Sequence, residues 1–91
     1  MNKIYKYQLK TTNIQDVQLP VGSEILCIQS QFGNPCIWAL VNPYNELETR
    51  TFEIFGTGNT IYYDMGVERK YIGTYQVLGG DLVFHCFERI S

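Results

Sequence analysis

The apolar residues of this chain recur with a period of two, and turn-forming residues interrupt them at short intervals. Tyrosine, phenylalanine and β-branched residues dominate, with 7 Tyr and 5 Phe in 91 residues, and this alternation is typical of strands. The interruptions are Leu19-Pro20-Val21-Gly22, Gly33-Asn34-Pro35, Asn42-Pro43-Tyr44-Asn45, Gly56-Thr57-Gly58-Asn59 and Gly79-Gly80. The spacing predicts an all-β fold, a small antiparallel sandwich or partly open barrel of about 6–8 short strands.

The period-two segments define where strands are expected. They are Lys3–Leu9, Asn13–Gln18, Glu24–Gln31, Cys36–Val41, Thr49–Phe55, Thr60–Tyr63, Tyr71–Leu78 and Asp81–Arg89. The longest helix-compatible window, Tyr44–Phe52, has few apolar residues at helical spacing, so we expect no helix longer than a turn. A chain of 91 residues is used up by one hydrophobic core, which predicts a single domain over residues 1–91.

The last two strands form a hairpin whose register follows from its turn. Gly79-Gly80 is a two-residue signal of the primed type. One face then pairs Val77 with Leu82, Tyr75 with Phe84 and Gly73 with Cys86. The other face pairs Gln76 with Val83, Thr74 with His85 and Ile72 with Phe87. We expect the first face, which is apolar throughout, to line the core.

A second hairpin is expected at Gly33-Asn34. This turn would pair Leu26 with Val41, Ile28 with Ala39, Cys27 with Leu40 and Gln29 with Trp38. Both faces then carry apolar residues, more than a small two-layer monomer can hide. The pattern predicts a homo-oligomer, most simply a dimer, with burial inside the domain as the alternative.

Charge and cysteine content exclude several classes of protein. The 7 Lys+Arg and 9 Asp+Glu give a net charge of -2, so a duplex nucleic acid is not an expected partner. No apolar run approaches the roughly 18 residues of a membrane span, and the first residues lack the apolar stretch of a secretion signal. Three cysteines within apolar runs predict buried, reduced thiols, and their spacing predicts no metal site.

The segment from Gly56 to Asn59 is the most suggestive candidate site. Gly56 and Gly58 flank Thr57, and successive backbone N–H groups beside glycines can form an anion-binding nest, to which Thr57 and Asn59 side chains would add hydrogen bonds. The spacing is neither a dinucleotide fingerprint nor a Walker loop. A tight strand connection that needs positive φ explains the glycines equally well.

Aromatic and basic residues complete the predicted ligand-binding set. Trp38 and Tyr62 are candidate stacking platforms for a base, although a core or interface role also suits Trp38. Arg50 and Arg69, the latter followed by Lys70, could clamp phosphates bidentately or be solvated surface charges. The full set is Trp38, Arg50, Gly56, Thr57, Gly58, Asn59, Tyr62 and Arg69. We expect His85 to be hydrogen-bonded across its hairpin to Thr74.

Most of the chain resembles a known family. The pattern runs through Ile4-Tyr5-Lys6-Tyr7, Leu19-Pro20-Val21-Gly22, Pro35-Cys36-Ile37-Trp38-Ala39-Leu40-Val41-Asn42-Pro43, Arg50-Thr51-Phe52, Phe55-Gly56-Thr57-Gly58 and Tyr71-Ile72-Gly73-Thr74-Tyr75-Gln76. It ends with Leu82-Val83-Phe84-His85. This pattern is similar to that of short proteins of unknown function encoded by phages and prophages. The resemblance implies a viral gene product in the host bacterial cytoplasm and no known activity.

Composition and the phage resemblance together suggest a binding protein. We expect no enzyme and no cofactor, because no acid–base pair, nucleophile or metal cluster can be assembled from the residues. The leading hypothesis is a sponge that sequesters a cyclic nucleotide or an ADP-ribose-type signal of bacterial defence. The alternatives are an inhibitor or accessory protein that binds a host protein through a tyrosine-rich sheet surface, or a small virion or assembly component.

Overall fold

The computed structural model describes residues 1–62 and 66–90, and nearly all of its regular secondary structure is strand. The strands are β1 (Lys3–Gln8), β2 (Ile14–Pro20), β3 (Glu24–Gln31), β4 (Asn34–Val41), β5 (Leu47–Gly56), β6 (Arg69–Val77) and β7 (Leu82–Arg89). The one helical segment in the described ranges is a three-residue 3₁₀ turn at Leu78–Gly80. The expectation of no helix longer than a turn therefore holds for these residues.

The strands form two antiparallel sheets. The first sheet has the order β1-β4-β3, and the second has the order β2-β5-β7-β6. The two sheets meet where β3 lies against β6, and there the Ser30 hydroxyl donates to the carbonyl of Gln76. Within residues 1–62 and 66–90 the sheets do not close into a barrel. The all-β fold class predicted from the sequence is confirmed.

The core lies on the faces that the two sheets share. Its buried residues come from both sheets and from the β1–β2 connection; they are Leu9, Leu19, Ile28, Ile37, Phe52, Ile54, Tyr75 and Cys86. Phe52 and Ile37 are fully buried at the centres of β5 and β4. Burial of each of these side chains stabilises the folded chain by roughly 2 kcal/mol relative to leaving it exposed. Apolar burial on both sheets is therefore what holds them together.

The β6–β7 hairpin has the predicted register over most of its length. Val77 pairs with Leu82 and Gly73 with Cys86, as expected. Gly79 and Gly80 both have positive φ, which a primed turn requires. The predicted pair of Ile72 with Phe87 is wrong, because a bulge after Tyr71 makes Tyr71 the partner of Phe87. A bulge adds one unpaired residue, which period-two counting does not reveal.

The register predicted for the β3–β4 hairpin is wrong. The turn is formed by Phe32 and Gly33, at φ 52° and 81°, rather than by Gly33-Asn34. In the structure, Cys27 pairs with Trp38, Ile28 with Ile37 and Gln29 with Cys36. Leu26 lies in a bulge and has no partner in the register. Phenylalanine is an unusual residue at positive φ, so the sequence pointed to the next pair of residues along.

The segment after the Gly56–Asn59 turn differs from the expectation of a strand over Thr60–Tyr63. Thr60 to Tyr62 is not a strand, although its sequence alternates, and Tyr63 lies outside the described residues.

Among the cysteines, Cys36 and Cys86 are buried as predicted, but Cys27 is half-buried on the outer side of the first sheet. Burial, together with the nearby Glu88, raises the pKa of Cys86 to about 12.

The close approach of β3 to β6 predicts that a larger side chain at Gly73 destabilises the chain. A Cβ at Gly73 would lie 3.0 Å from Cγ2 of Ile28 and 4.0 Å from the backbone N and O of the same residue. Gly73→Val should therefore lower the free energy of unfolding by about 2 kcal/mol, the cost of overpacking. Gln76→Val, an exposed position on the same strand, should change it by less than about 0.5 kcal/mol. Urea denaturation of both variants checks this, and equal effects would contradict it.

The Cys86 thiol predicts a loss of stability at alkaline pH. The pKa of this thiol is about 12 in the folded chain, above the ordinary value of 9.0. As the pH rises above 9, the thiol therefore ionises first in the unfolded chain. Its contribution to the free energy of unfolding is complete below pH 9 and is lost as the pH rises towards 12. Urea denaturation at several values between about pH 8 and 10.5 should show a steeper decline for the parent chain than for Cys86→Ala. Identical slopes would show that the thiol does not contribute.

Candidate functional site

The predicted glycine loop is a tight turn at the end of β5. The N–H of Asn59 donates to the carbonyl of Gly56 at 3.0 Å, and the N–H of Thr57 donates to the carbonyl of Val83 at 3.1 Å. Gly58 has a φ of 86°, and a Cβ at Gly56 would approach the Asn59 side-chain amide to 2.8 Å. Both glycines are thus explained by the turn. The N–H groups of Thr57 and Asn59 are already bonded and cannot form the anion nest considered from the sequence.

A chain of hydrogen bonds ties this loop to the second sheet through His85. Thr57 Oγ1 lies 2.7 Å from His85 Nε2, and Thr74 Oγ1 lies 2.9 Å from His85 Nδ1. Tyr71 Oη in turn contacts Thr74 Oγ1 at 2.5 Å. The predicted bond between His85 and Thr74 is confirmed. The bond to Thr57 was missed, because it depends on β5 lying beside β7, a pairing that no turn signal marks.

Arg69 lies on the outer face of the second sheet. Its guanidinium donates to Glu53 Oε1 at 2.6 Å and to Oε2 at 3.4 Å. The same group stands 5.8 Å from the ring centre of Phe55, a cation–π distance. Phe55 contacts Phe87 edge to face, with ring centres 5.9 Å apart. Arg69 is therefore ion-paired and stacked, and it holds an otherwise unfavourable buried carboxylate on this face.

Arg50 lies on the opposite face of the same sheet and is also ion-paired. It donates from Nε and Nη2 to the two oxygens of Glu88, at 2.5 and 2.9 Å, and from Nη1 to the carbonyl of Ser23. Glu88 is 8% exposed. The hydrogen bond that Arg50 donates to Glu88 raises the pKa of Arg50 above its ordinary value, against the opposing effect of burial. Arg50 therefore stabilises the fold and links the β2–β3 turn to the second sheet.

A polar cavity of about 440 Å³ lies where β7 ends beside β5. Three cationic and two acidic side chains line it together with hydroxyls; the lining is Glu48, Thr49, Arg50, Thr51, Lys70, Glu88, Arg89 and Ile90. Arg50 is neutralised by Glu88, whereas Lys70 is exposed and Arg89 reaches Glu53 only at 3.9 Å. Lys70 and Arg89 are thus the cations that could meet an anion here.

A second cavity of about 380 Å³ lies along β5 near the glycine loop. Its lining mixes aromatic, amide and hydroxyl groups; it is Asn13, Ile14, Glu53, Ile54, Phe55, Asn59, Thr60 and Tyr62. A third cavity lined by Ile14, Asp16, Thr51, Arg89 and Ile90 shares residues with each of the other two. These three cavities are linked by their shared lining residues, and we call them the β5 groove. Its basic end has Arg89 and, on the opposite face of the sheet, Lys70; its aromatic end has Phe55 and Tyr62.

The β5 groove unites some of the predicted residues but not all. Asn59 and Tyr62 line its aromatic end and Arg50 its basic end. Gly56 and Thr57 border a neighbouring cavity of about 430 Å³ that shares Asn59. Trp38 belongs to the other sheet, where it lines a separate apolar hollow. Trp38 is therefore not part of one site with the glycine loop, and Gly58 contributes to the turn alone.

Apart from the neighbouring Tyr5 and Tyr7 on β1, the described tyrosines do not gather on one sheet surface. Tyr75 is in the core, Tyr7 is half-buried, and Tyr71 lies on the outer face of the second sheet. Tyr44 and Tyr62 are highly exposed in separate loops, at 84% and 76%. The described tyrosines thus supply several isolated contacts rather than a continuous tyrosine-rich surface.

The family assignment rests on the whole chain. A family model described as Domain of unknown function (DUF7352) matches residues 1–91. The chain belongs to this family. No curated protein matches it, and no solved structure matches it. The family description assigns no activity, so function must be argued from the site itself.

Two features are absent from the part of the chain that the structure describes. In residues 1–62 and 66–90, no group of three or more His, Cys, Asp or Glu side chains is placed to hold a metal ion. The same part of the chain contains no helix with the length and apolar character needed to cross a membrane.

The Arg50–Glu88 pair predicts a large structural cost for Arg50→Ala. The change leaves a nearly buried carboxylate without its bidentate partner, which should lower the free energy of unfolding by about 3 kcal/mol. The double variant Arg50→Met with Glu88→Leu replaces the pair by apolar groups and should recover most of that loss. Urea denaturation measures both. A cost below about 1 kcal/mol for Arg50→Ala would assign Arg50 no structural role.

The hydrogen bond between Thr57 and His85 predicts a measurable tether for the loop. Thr57→Val removes the hydroxyl and should destabilise the chain by about 1 kcal/mol, with faster amide exchange in the loop. Thr57→Ser keeps the hydroxyl and serves as the control. If the loop amides exchange at equal rates in Thr57→Val and Thr57→Ser, the hydroxyl does not hold the loop in place.

Proposed function

We propose that this protein is a non-enzymatic binding protein whose β5 groove takes a ligand that carries both phosphate and a planar base. The observation that carries the proposal is the order of groups along the β5 groove. Lys70 and Arg89 stand at one end of the groove, and Phe55 and Tyr62 stand at the other.

The basic end suits one or two phosphates. Arg89 can donate two parallel hydrogen bonds to phosphate oxygens. Lys70 lines the same cavity from the opposite face of the sheet, where it pairs with Glu88, and adds a compact charge. The cationic side chains of this cavity exceed the acidic ones by one, since Arg50, Lys70 and Arg89 face Glu48 and Glu88. This excess in one cavity supports binding of a small anion there, although Glu53 and Asp16 add two carboxylates in the other two cavities of the groove and the whole chain carries a net charge of -2.

The aromatic end suits a nucleobase. Stacking on an aromatic ring contributes about 1–3 kcal/mol per base, and Tyr62 is 76% exposed and hence accessible. Asn59 and Asn13 supply amide donors and acceptors for a base edge. Thr51 and Phe55 are four residues apart on β5, a span of roughly 13 Å. That length favours a ligand larger than one nucleotide, such as a cyclic oligonucleotide or an ADP-ribose derivative.

The biological setting of the proposal comes from the resemblance to phage and prophage proteins. A phage protein that holds such a ligand without altering it would act as a sponge for a bacterial defence signal in the host cytoplasm. Co-expression with a defence system that signals through a cyclic nucleotide should then restore plaque formation. Unchanged plaque numbers with every such system would contradict the anti-defence role.

Ligand binding is tested by thermal unfolding with cyclic dinucleotides, cyclic trinucleotides and ADP-ribose derivatives. A ligand at 100 times its dissociation constant contributes about 2.7 kcal/mol, which should raise Tm by on the order of 10 °C for a chain of this size. Arg89→Ala and Lys70→Ala should each weaken binding at least tenfold. Lys3→Ala, an exposed lysine outside the groove, is the matched control.

The aromatic end and the absence of turnover need their own controls. Tyr62→Ala should weaken binding, whereas Tyr44→Ala, at a tyrosine of similar exposure, should not. Mass spectrometry of ligand released by denaturation should find it chemically unchanged. A Tm that ignores the whole panel overturns the proposal, and a cleaved ligand would show an enzyme instead.

A further inference from the structure

We infer that the outer face of the first sheet is the interface of a symmetric dimer, with a second copy of this chain as its occupant. This face lies outside the β5 groove, so the inference stands independently of the proposed function. Its residues come from all three strands of the sheet and will be called the Trp38 face. They are Ile4, Lys6, Glu24, Leu26, Cys27, Gln29, Trp38 and Leu40.

The Trp38 face is apolar at its centre. Ile4, Leu26, Cys27, Gln29 and Trp38 enclose a shallow hollow of about 290 Å³. Ile4 is 60% exposed and Leu26 is 44% exposed, so large aliphatic groups meet solvent beside the single tryptophan. The bulge between Ile25 and Cys27 places Leu26 next to Cys27 on this face. A cluster of this kind gains free energy when a partner covers it.

The charges on this face are arranged so that it complements itself. Ile4, Leu40 and Glu24 form one cross-strand row, and Lys6, Trp38 and Cys27 form the next. The positive charge is therefore carried by edge strand β1, and the negative charge by β3 on the other side of β4.

A dimer whose two-fold axis runs parallel to β4 brings these opposite charges towards each other. Rotation about it stacks β1 of one copy over β3 of the other, so that each Lys6 faces the strand that carries Glu24 of the second copy. The rows are offset by two residues, roughly 7 Å, which two extended side chains can span. An axis across the strands would instead stack β1 on β1 and β3 on β3, which places charges of the same sign on facing strands and is unfavourable.

Formation of this dimer would exchange a hydrogen bond of Lys6 within the chain for a contact between the two copies. Lys6 Nζ donates to Gln31 Oε1 at 2.5 Å in the single chain, and exchange of this neutral amide acceptor for a carboxylate turns the hydrogen bond into an ion pair. Trp38 would lie near the axis, where isologous contacts bring identical residues together. A face of three strands is smaller than the standard interface of about 800 Å² per partner. We therefore expect a dissociation constant in the micromolar range.

Sedimentation velocity from about 1 to 500 µM tests the dimer. The parent chain should pass from monomer to dimer, with a parallel blue shift of Trp38 fluorescence as the indole loses water. Leu26→Lys should raise the dissociation constant at least tenfold. Leu47→Lys, at an exposed leucine on β5, is the matched control and should leave it unchanged.

Charge exchange tests the direction of the axis. Lys6→Glu and Glu24→Lys, both at exposed positions, should each weaken the dimer, and the double variant should restore it. A chain that stays monomeric over the whole range overturns the inference and leaves the face to a different protein. A dimer that ignores Leu26→Lys also overturns it, as does failure of the double variant to recover.

Discussion

The contact between β3 and β6 at Gly73 is the constraint on which the rest of this structure depends. Neither sheet can bury its apolar face alone, since the first has three strands and the second has four. At Gly73 the backbone of β3 approaches β6 so closely that a Cβ would meet Ile28. This proximity brings Ile28 and Ile37 of one sheet into the same core as Tyr75 and Cys86 of the other.

Two buried carboxylates fix the two faces of the second sheet. Glu88 receives Arg50 on one face, and Glu53 receives Arg69 on the other. Each arginine looked from the sequence like a phosphate ligand, yet the structure uses both as partners for carboxylates that would otherwise be unpaired. This arrangement leaves Lys70 and Arg89 as the cations at the basic end of the β5 groove and shifts the proposed phosphate contacts to them.

The sequence predicted what depends on local periodicity and failed where a local irregularity intervened. The bounds of β3 and the β6–β7 register up to Gly73 followed from alternation and from the Gly79-Gly80 turn. Phe32 at positive φ and the bulges at Leu26 and Ile72 shifted or broke the expected pairs. The assembly of the candidate site could not be predicted either, because β5 reaches β7 across a long connection and Trp38 belongs to the other sheet.

The surfaces of the two sheets have different chemistry and hence different proposed partners. The Trp38 face is apolar with one charge of each sign, which suits a second copy of the chain. The β5 groove is lined by cations, carboxylates, amides and aromatic rings, which suits a small ligand. The two surfaces lie on different sheets, so ligand binding and self-association need not compete.

The most direct test of this account is amide chemical-shift mapping of the isotopically labelled protein during titration with a cyclic dinucleotide. We expect the largest perturbations on the residues that line the β5 groove, which are 13, 14, 16, 48–51, 53–55, 59, 60, 62, 70 and 88–90. Amides around Trp38 should stay unchanged at constant protein concentration. Perturbations centred on the Trp38 face, or none at saturating ligand, would contradict it.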